Sequence, residues 1–585
     1  MEHLPHWDLN SIYPSLQSAE FSADLLTLSS LVAKGKELLQ APEKASWLTE
    51  VLRIYQQALD TSETLYAYAR ALLSVNTADK EAMRAVNRVE EALMELRSFD
   101  VQLLNRLAQR KEEVLALVGE DQDLAPYAFV IKELLDLQSH TMSEEAEHLA
   151  SDLNRSGTDA WSRLQEAISS TAQTKWEGQT KTVIQLRSMA FDAQRSIRQK
   201  AFEAELEVWK HHEIALASAL NGVKGTTLTL DSRRGYASPL ERSAFQARIS
   251  GQSLEAMIGS IEKSLPMFRR YLYAKAHALG LKRLAFYDLF APLGTENRSY
   301  SYQEATAFIV EQFSRFHLPM GQFAQSAFEK NWVDSQPRSA KVGGAYCTSF
   351  PLAKESRILV NYDGTFDGLS TLAHEMGHAY HDSLTYHQGA LLRQYPMTLA
   401  ETASIFSQIL VFQGAMEEAS EKQQISLIEG FLQDATQTCV DILSRYYFEN
   451  ALFAKRKEGE LLSDELNELM IDSQIKSYGD ALDPQALHPY MWAVKGHYYS
   501  SDLSFYNYPY AFGQLFGLGV YRKGQESDDF GPEYDRLLTF SGQDSVANVA
   551  LTIGLDIDNA SFWEQSLEVI GTYVEQFCTL VGYSG

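Results

Sequence analysis

Between Pro42 and Gly119 the chain contains neither proline nor glycine, and a turn-rich β fold has no use for so long an unpunctuated run. These two residues are the strongest local breakers of regular structure, so their absence lets a backbone hydrogen-bond ladder continue. Apolar side chains recur there at helical spacing, first at Leu48, Val51, Leu52, Tyr55 and Leu59, then at Val86, Val89, Leu93 and Leu96. A stripe of that width needs a second helix to cover it, which predicts packed helical hairpins. Similar patterns run through residues 190–220, 253–280, 300–330 and 420–480, and the expected fold class is mostly α. At 585 residues the chain divides by expectation into an N-terminal helical lobe, 1–185, and a catalytic region, 186–585.

Strand signals are few. Residues 182–186 are one candidate; residues 343–350 and 357–361 form a pair, followed by a turn at Asp363-Gly364 and a helix expected from an N-cap at Asp367 to about Ser383. A small sheet in that place offers an edge on which an extended peptide can dock through main-chain hydrogen bonds. An ordinary hairpin that only packs the helix fits residues 343–350 equally well.

The helix after the pair carries His374-Glu375-Met376-Gly377-His378. Helical positions i and i+4 lie one above the other, so both imidazoles can face one ion, which is the HExxH zinc pattern. A random chain of this composition would hold roughly a few hundredths of such a match, so the context has to support it. Glu375 lies about 100° round the helix from His374 and about 60° from His378, on the flank of the metal-facing side. There a carboxylate can serve as general base toward the water that such an ion activates. A catalytic ion needs a third protein ligand and one open corner. Glu401, 23 residues beyond His378, is the candidate, and one Zn2+ is the expected cofactor. Thr398-x-x-Glu401 also fits a capping box, in which Glu401 would only satisfy a backbone amide. His381 shares the ligand face but lies roughly 10 Å along the axis from His374, too far for one ion, and reads as core or support. His387 is a weaker competitor, and His211 and His212, adjacent on a helix, read as solvated surface.

Composition excludes other classes. The formal charge of −26 and the lack of a basic, aromatic-interleaved stripe argue against nucleic acid. Residues 1–10 show no cationic start followed by an apolar run, and no segment approaches 18 consecutive apolar residues, so no membrane partner is expected and a cytoplasmic location is. Cys347, Cys439 and Cys578 are odd in number and widely spread, which reads as three small buried hydrophobes rather than disulfides or a thiolate metal site. A second constellation lies late in the chain: His497-Tyr498-Tyr499, then residues 505–513 with Tyr506, Tyr508 and Tyr510 around Pro509, which suit a loop entering a helix. An aromatic core cluster is the plainer account of so many tyrosines.

Four blocks together change that weighting. They are Trp7-Asp8-Leu9 with Tyr13-Pro14; Gly344-Ala345-Tyr346-Cys347 with Ile358-Leu359-Val360-Asn361; His374 to His381 with Ala400-Glu401-Thr402-Ala403-Ser404; and His497 to Gly513. With them the chain resembles the thimet-oligopeptidase-like zinc metallopeptidases, most closely the oligoendopeptidase F branch. The resemblance implies a large helical, prolate peptidase with a deep channel, a small sheet beside the zinc helix, and access only for short unstructured oligopeptides. It also implies that His497 and Tyr510, with Tyr508 and Tyr506 nearby, stabilise the oxyanion or orient the substrate. The spacing from His497 to Tyr510 is long for the branch, which leaves open which tyrosine serves.

The expected activity is therefore a zinc metallo-endopeptidase with ligands His374, His378 and Glu401 and base Glu375. A zinc carboxypeptidase or dipeptidyl carboxypeptidase is the rival; it needs a cation for the substrate's C-terminus, and Arg233, Arg234 or Lys495 are candidates. A non-catalytic zinc-containing peptide-binding scaffold is the remote alternative, since a structural site would close its fourth corner and have no need of Glu375.

Overall fold

The computed structural model describes residues 4–40, 46–294, 298–527 and 529–585. Helices Trp47–Val75 and Lys80–Gln109 occupy the unpunctuated run, and the Asp79 carboxylate caps the second by accepting from Glu81 N and Ala82 N. The other periodic stretches are also helical, including Arg195–Arg233, Gly251–Ala278, Tyr302–Phe316, Ile442–Arg456 and Ser463–Tyr478. Among the described residues no helix is long and apolar enough to cross a membrane.

Residues 182–186 depart from expectation. The strand Gln179–Thr182, antiparallel to Gln173–Trp176, ends at Thr182, and a helix, Val183–Ser188, begins. Val183 and Ile184 favour a strand by their branching, but Thr182 and Gln185 form a reciprocal cap: Thr182 Oγ1 accepts from Gln185 N at 3.3 Å and Gln185 Oε1 from Thr182 N at 3.0 Å. Two orphan amides are satisfied at once, and the helix wins.

Two compact units make up the chain, each from three segments. One comprises Met1–Ser139, Asn297–Glu418 and Val520–Leu555; the other comprises His140–Glu296, Ala419–Gly519 and Asp556–Gly585. This grouping differs in kind from the expected division at 185/186, which falls inside the helix Val183–Ser188.

In the first unit a three-stranded sheet runs in the order Val333–Asp334, Glu355–Leu359, Tyr346–Phe350, the first pair parallel and the second antiparallel. Tyr346–Phe350 is thus an edge strand, within the expected 343–350. The N-terminal helices hold it in place. Phe350 is buried in one core with Leu48, Val51, Leu52, Leu65 and Phe99, where each large apolar side chain contributes about 1.5–3 kcal/mol. Ser74 Oγ and Tyr346 Oη lie 2.5 Å apart, and Leu352 N donates to Thr64 Oγ1 at 3.2 Å. The loop ahead of the strand is pinned by Asn361 Nδ2, which donates to the carbonyls of Val342 (3.1 Å) and Gly344 (3.0 Å).

In the second unit Arg195–Arg233 shares a buried ion pair with Ile442–Arg456, Lys224 Nζ to Glu449 Oε1 at 2.8 Å. A π-helical turn, Gln437–Asp441, leads directly into Ile442–Arg456.

Candidate metal and catalytic centre

The strand Glu355–Leu359 leads through buried Val360 to a turn with Gly364 at φ +80°. Asp363 Oδ1 accepts from the Thr365 amide (3.0 Å) and hydroxyl (2.6 Å), and Thr365 Oγ1 accepts from Gly368 N at 3.0 Å. Thr365, rather than the expected Asp367, therefore caps the helix Phe366–Thr385. The Asp363 carboxylate explains the choice, because it orients the threonine hydroxyl oxygen toward the helix amides.

His374 and His378 stand mid-helix with their Nε2 atoms 3.3 Å apart. Glu401 Oε2 lies 3.3 Å from His374 Nε2 and 3.6 Å from His378 Nε2. Tetrahedral ligands at about 2.0–2.1 Å from an ion are about 3.3–3.4 Å from one another, so this triangle has the size of one face of a zinc polyhedron. Among the described residues it is the only group of three or more His, Cys, Asp or Glu side chains able to hold a metal. His374 Nδ1 faces Gln408 Oε1 at 2.9 Å while Gln408 Nε2 donates to Ser370 Oγ at 3.2 Å, so the ring proton sits on Nδ1 and Nε2 presents a lone pair. Gln408 escaped the sequence reading, although it lies seven residues beyond Glu401 and hence two turns on.

Glu401 occupies the break between the short helix Met397–Ala400 and Thr402–Glu418. The capping-box alternative does not form: Pro396 is the N-cap, Thr398 lies within the helix, and Glu401 Oε2 instead accepts from Ser404 Oγ at 2.8 Å. Burial raises the Glu401 carboxyl, but the His374 and His378 rings, which pair with it when protonated, outweigh the burial and hold the group well below the usual range. Gly377 brings Phe366–Thr385 close to Thr402–Glu418; a Cβ there would stand 2.5 Å from Ala403 O and 2.8 Å from Ser404 Cα.

Glu375 is 6% exposed. Burial pushes its carboxyl above the usual range, while His374, His378 and the Cys347 amide pull the other way. It opens on a cavity of about 700 Å³ that also meets both histidines, Glu401, Arg393 and the edge strand at Tyr346 and Ser349. Cys347 lines this cavity and is only partly buried, unlike Cys439 and Cys578, because it lies on the sheet edge. His381 is core, as expected: fully buried, stacked on Tyr395 with centroids 4.2 Å apart, its Nε2 2.8 Å from Ser541 Oγ. His387 and His211 are exposed.

The second constellation lies in the other unit. His497 sits in a 3₁₀ turn, Gly496–Tyr499, and the helix Tyr508–Gln525 starts with Pro509 in its first turn, as the loop-to-helix expectation had it. His497 stacks on Tyr506 with centroids 5.6 Å apart, and the Tyr506 and Tyr510 hydroxyls are 2.8 Å apart. Tyr508 is buried, its hydroxyl oxygen accepting from Ser243 Oγ at 3.2 Å.

An HExxH helix, a carboxylate from the following element and a buried glutamate in one cavity form the apparatus of a metallopeptidase. The chain belongs to peptidase family M3, whose model matches residues 188–569, and within it to the oligoendopeptidase F branch; an oligopeptidase F model matches residues 107–173. It is 24% identical to oligopeptidase PepF of Bacillus subtilis, over 91% of this chain and 80% of that one. It is likewise 24% identical to an oligoendopeptidase F homolog of Lactococcus lactis, over 98% and 97%. The crystal structure of oligoendopeptidase-F from Enterococcus faecium shares the fold, with a TM-score of 0.70 at 18% identity, covering 97% of this chain and 99% of that one.

Proposed function

We propose that this metallopeptidase is a zinc endopeptidase that hydrolyses short, unstructured oligopeptides. The observation that carries the reading is the triangle of His374 Nε2, His378 Nε2 and Glu401 Oε2, 3.3–3.6 Å on each side, in one cavity with Glu375. His374, His378 and Glu401 are assigned as ligands, and zinc bound there would polarise the scissile carbonyl and acidify the attacking water. Glu375, with its carboxyl raised by burial, takes the proton of that water and returns it to the leaving amine. The outer edge of Tyr346–Phe350 offers main-chain groups to an extended peptide, which favours unstructured substrates. His497 and Tyr510 donate hydrogen bonds to the carbonyl oxygen as charge grows on it. Tyr506 orients Tyr510, and Tyr508, with its hydroxyl engaged by Ser243, anchors the segment.

A cytoplasmic location fits the three free thiols, and the charge of −26 fits the expectation of no nucleic-acid partner. The gap between the family matches, 173 to 188, supports residues 186–585 as the catalytic module.

The carboxypeptidase reading needs a free cation. Arg393 lines the cavity but is held by Asp60 and, at 3.9 Å, by Glu63; Arg234 is bound by Glu147 at 3.0 and 2.6 Å. The Lys495 ammonium makes no hydrogen bond or ion pair among the described residues, although Asp441 and Glu205 act on it electrostatically, and it is the cation that reading would use. Cleavage of an internally quenched peptide of about ten residues, with free and amidated C-termini, decides between them. Equal internal cleavage of both forms is expected, with Glu375→Gln about 10²–10⁴-fold slower at unchanged zinc content. Wild-type rates in Glu375→Gln would remove Glu375 as the base, and dependence on the free carboxylate would favour the rival.

A further inference from the structure

We propose that Arg445 and Asn507 are positioning residues that hold His497 as the neutral tautomer with its proton on Nδ1, an inference that deepens the reading of His497 as a substrate-facing donor and rests on it. The argument is one of donor and acceptor bookkeeping along a chain of three side chains within one unit. Arg445 Nη1 donates to Asn507 Oδ1 at 2.8 Å, and Asn507 Nδ2 lies 2.6 Å from His497 Nε2. A guanidinium has donors only and stays charged, so the amide atom facing it must be the oxygen. The other end of the same amide is then an NH2, which has donors only, and His497 Nε2 must accept from it. An imidazole that accepts at Nε2 carries its proton on Nδ1. Neither the opposite tautomer nor the imidazolium fits, because each would set N–H against N–H at 2.6 Å.

The anchor of the chain is firm. Asp441, the last residue of the π-helical turn Gln437–Asp441, binds Arg445 Nη2 one turn further on, and Tyr478 Oη donates to its other oxygen at 3.4 Å. Asn507 is 7% exposed, and the His497 ring lies against Tyr498 (4.4 Å between centroids) and Tyr506. Burial and the charges of Arg445, Lys224 and Lys495 push His497 down to about 2. The nearby carboxylates are committed to the cations, Asp441 to Arg445 and Glu449 to Lys224, and none contacts His497 among the described residues. Nδ1 itself has no protein partner among those residues and is not sealed from solvent, so its hydrogen is available to a ligand. His497 on this account polarises a carbonyl as a neutral donor and gives up no proton.

The test reads the ring nitrogens directly. In full-length protein labelled with ¹⁵N-histidine, the His497 signals are assigned by their loss in His497→Gln and followed from about pH 5.5 to 8. The expected wild-type spectrum has a protonated Nδ1 and a bare Nε2 throughout the range, a signature that simple packing would not fix. Asn507→Asp, nearly isosteric, sets an acceptor against Nε2 and should move the proton there or charge the ring, with kcat at least about 10-fold lower and KM little changed. Asn507→Leu, which supplies neither donor nor acceptor, should give a mixture of tautomers. A proton on Nε2 in the wild type, a ring that titrates within the range, or an unaltered His497 spectrum in Asn507→Asp would overturn the inference. Should the spectra behave as expected while His497→Gln cleaves at the wild-type rate, the tautomer device stands and the catalytic reading of His497 falls.

Discussion

His374 and His378 take their spacing from the pitch of a helix, whereas His497 takes its orientation from side chains that reach in from distant positions. In the first region four residues of separation suffice to bring two imidazoles 3.3 Å apart, and only Glu401 and Gln408 come from another element. In the second, the ring sits in a short turn and its bearing is set by Asn507 and, through it, by an arginine 62 residues from that asparagine. On the proposed function, the contrast separates two duties: a helix serves where several ligands must meet one point, and a side-chain network serves where one group must present a single proton.

Three substitutions sharpen the contrast. Glu401→Ala should have the largest effect, abolishing both bound zinc and peptide cleavage; chelation of the wild type should give the same silence, reversed by added zinc. Next, His497→Gln should lower kcat about 10²–10³-fold, the usual loss for one oxyanion donor, with zinc content at the wild-type level by elemental analysis. Loss of zinc in that variant would break the separation of the two duties. The smallest effect is expected of Gln408→Ala, which removes the partner of His374 Nδ1: zinc affinity about 10- to 100-fold weaker by competition with a chromophoric chelator, and cleavage near normal once zinc saturates.

These differences also mark what a sequence can convey. The helical class was legible from 3.6-residue periodicity, and the HExxH pair from a four-residue interval, since both are local. Glu401 was ambiguous because Thr398-x-x-Glu401 fits a capping box; only the start of the helix at Pro396 removes that option. The strand expected at residues 182–186 failed against a reciprocal cap whose strength lies in two hydrogen bonds rather than in propensity. Thr365 displaced Asp367 as N-cap because a third residue, Asp363, orients it. The interleaved units and the Arg445–Asn507–His497 chain had no local trace, since each depends on contacts across tens to hundreds of residues.

Gly377 occupies one of the two nominally free positions of the HExxH pattern, yet it is not free. Any side chain there would collide with the main chain at Ala403 and Ser404, immediately after the carboxylate that completes the triangle. The interval between the paired histidines and their third companion is therefore a clearance, set by the thickness of a hydrogen atom where a methyl group would otherwise stand. A wider spacer would move Glu401 away from the histidines without touching a single donor atom. The gauge of the metal site is thus kept by a residue with no chemistry to offer it.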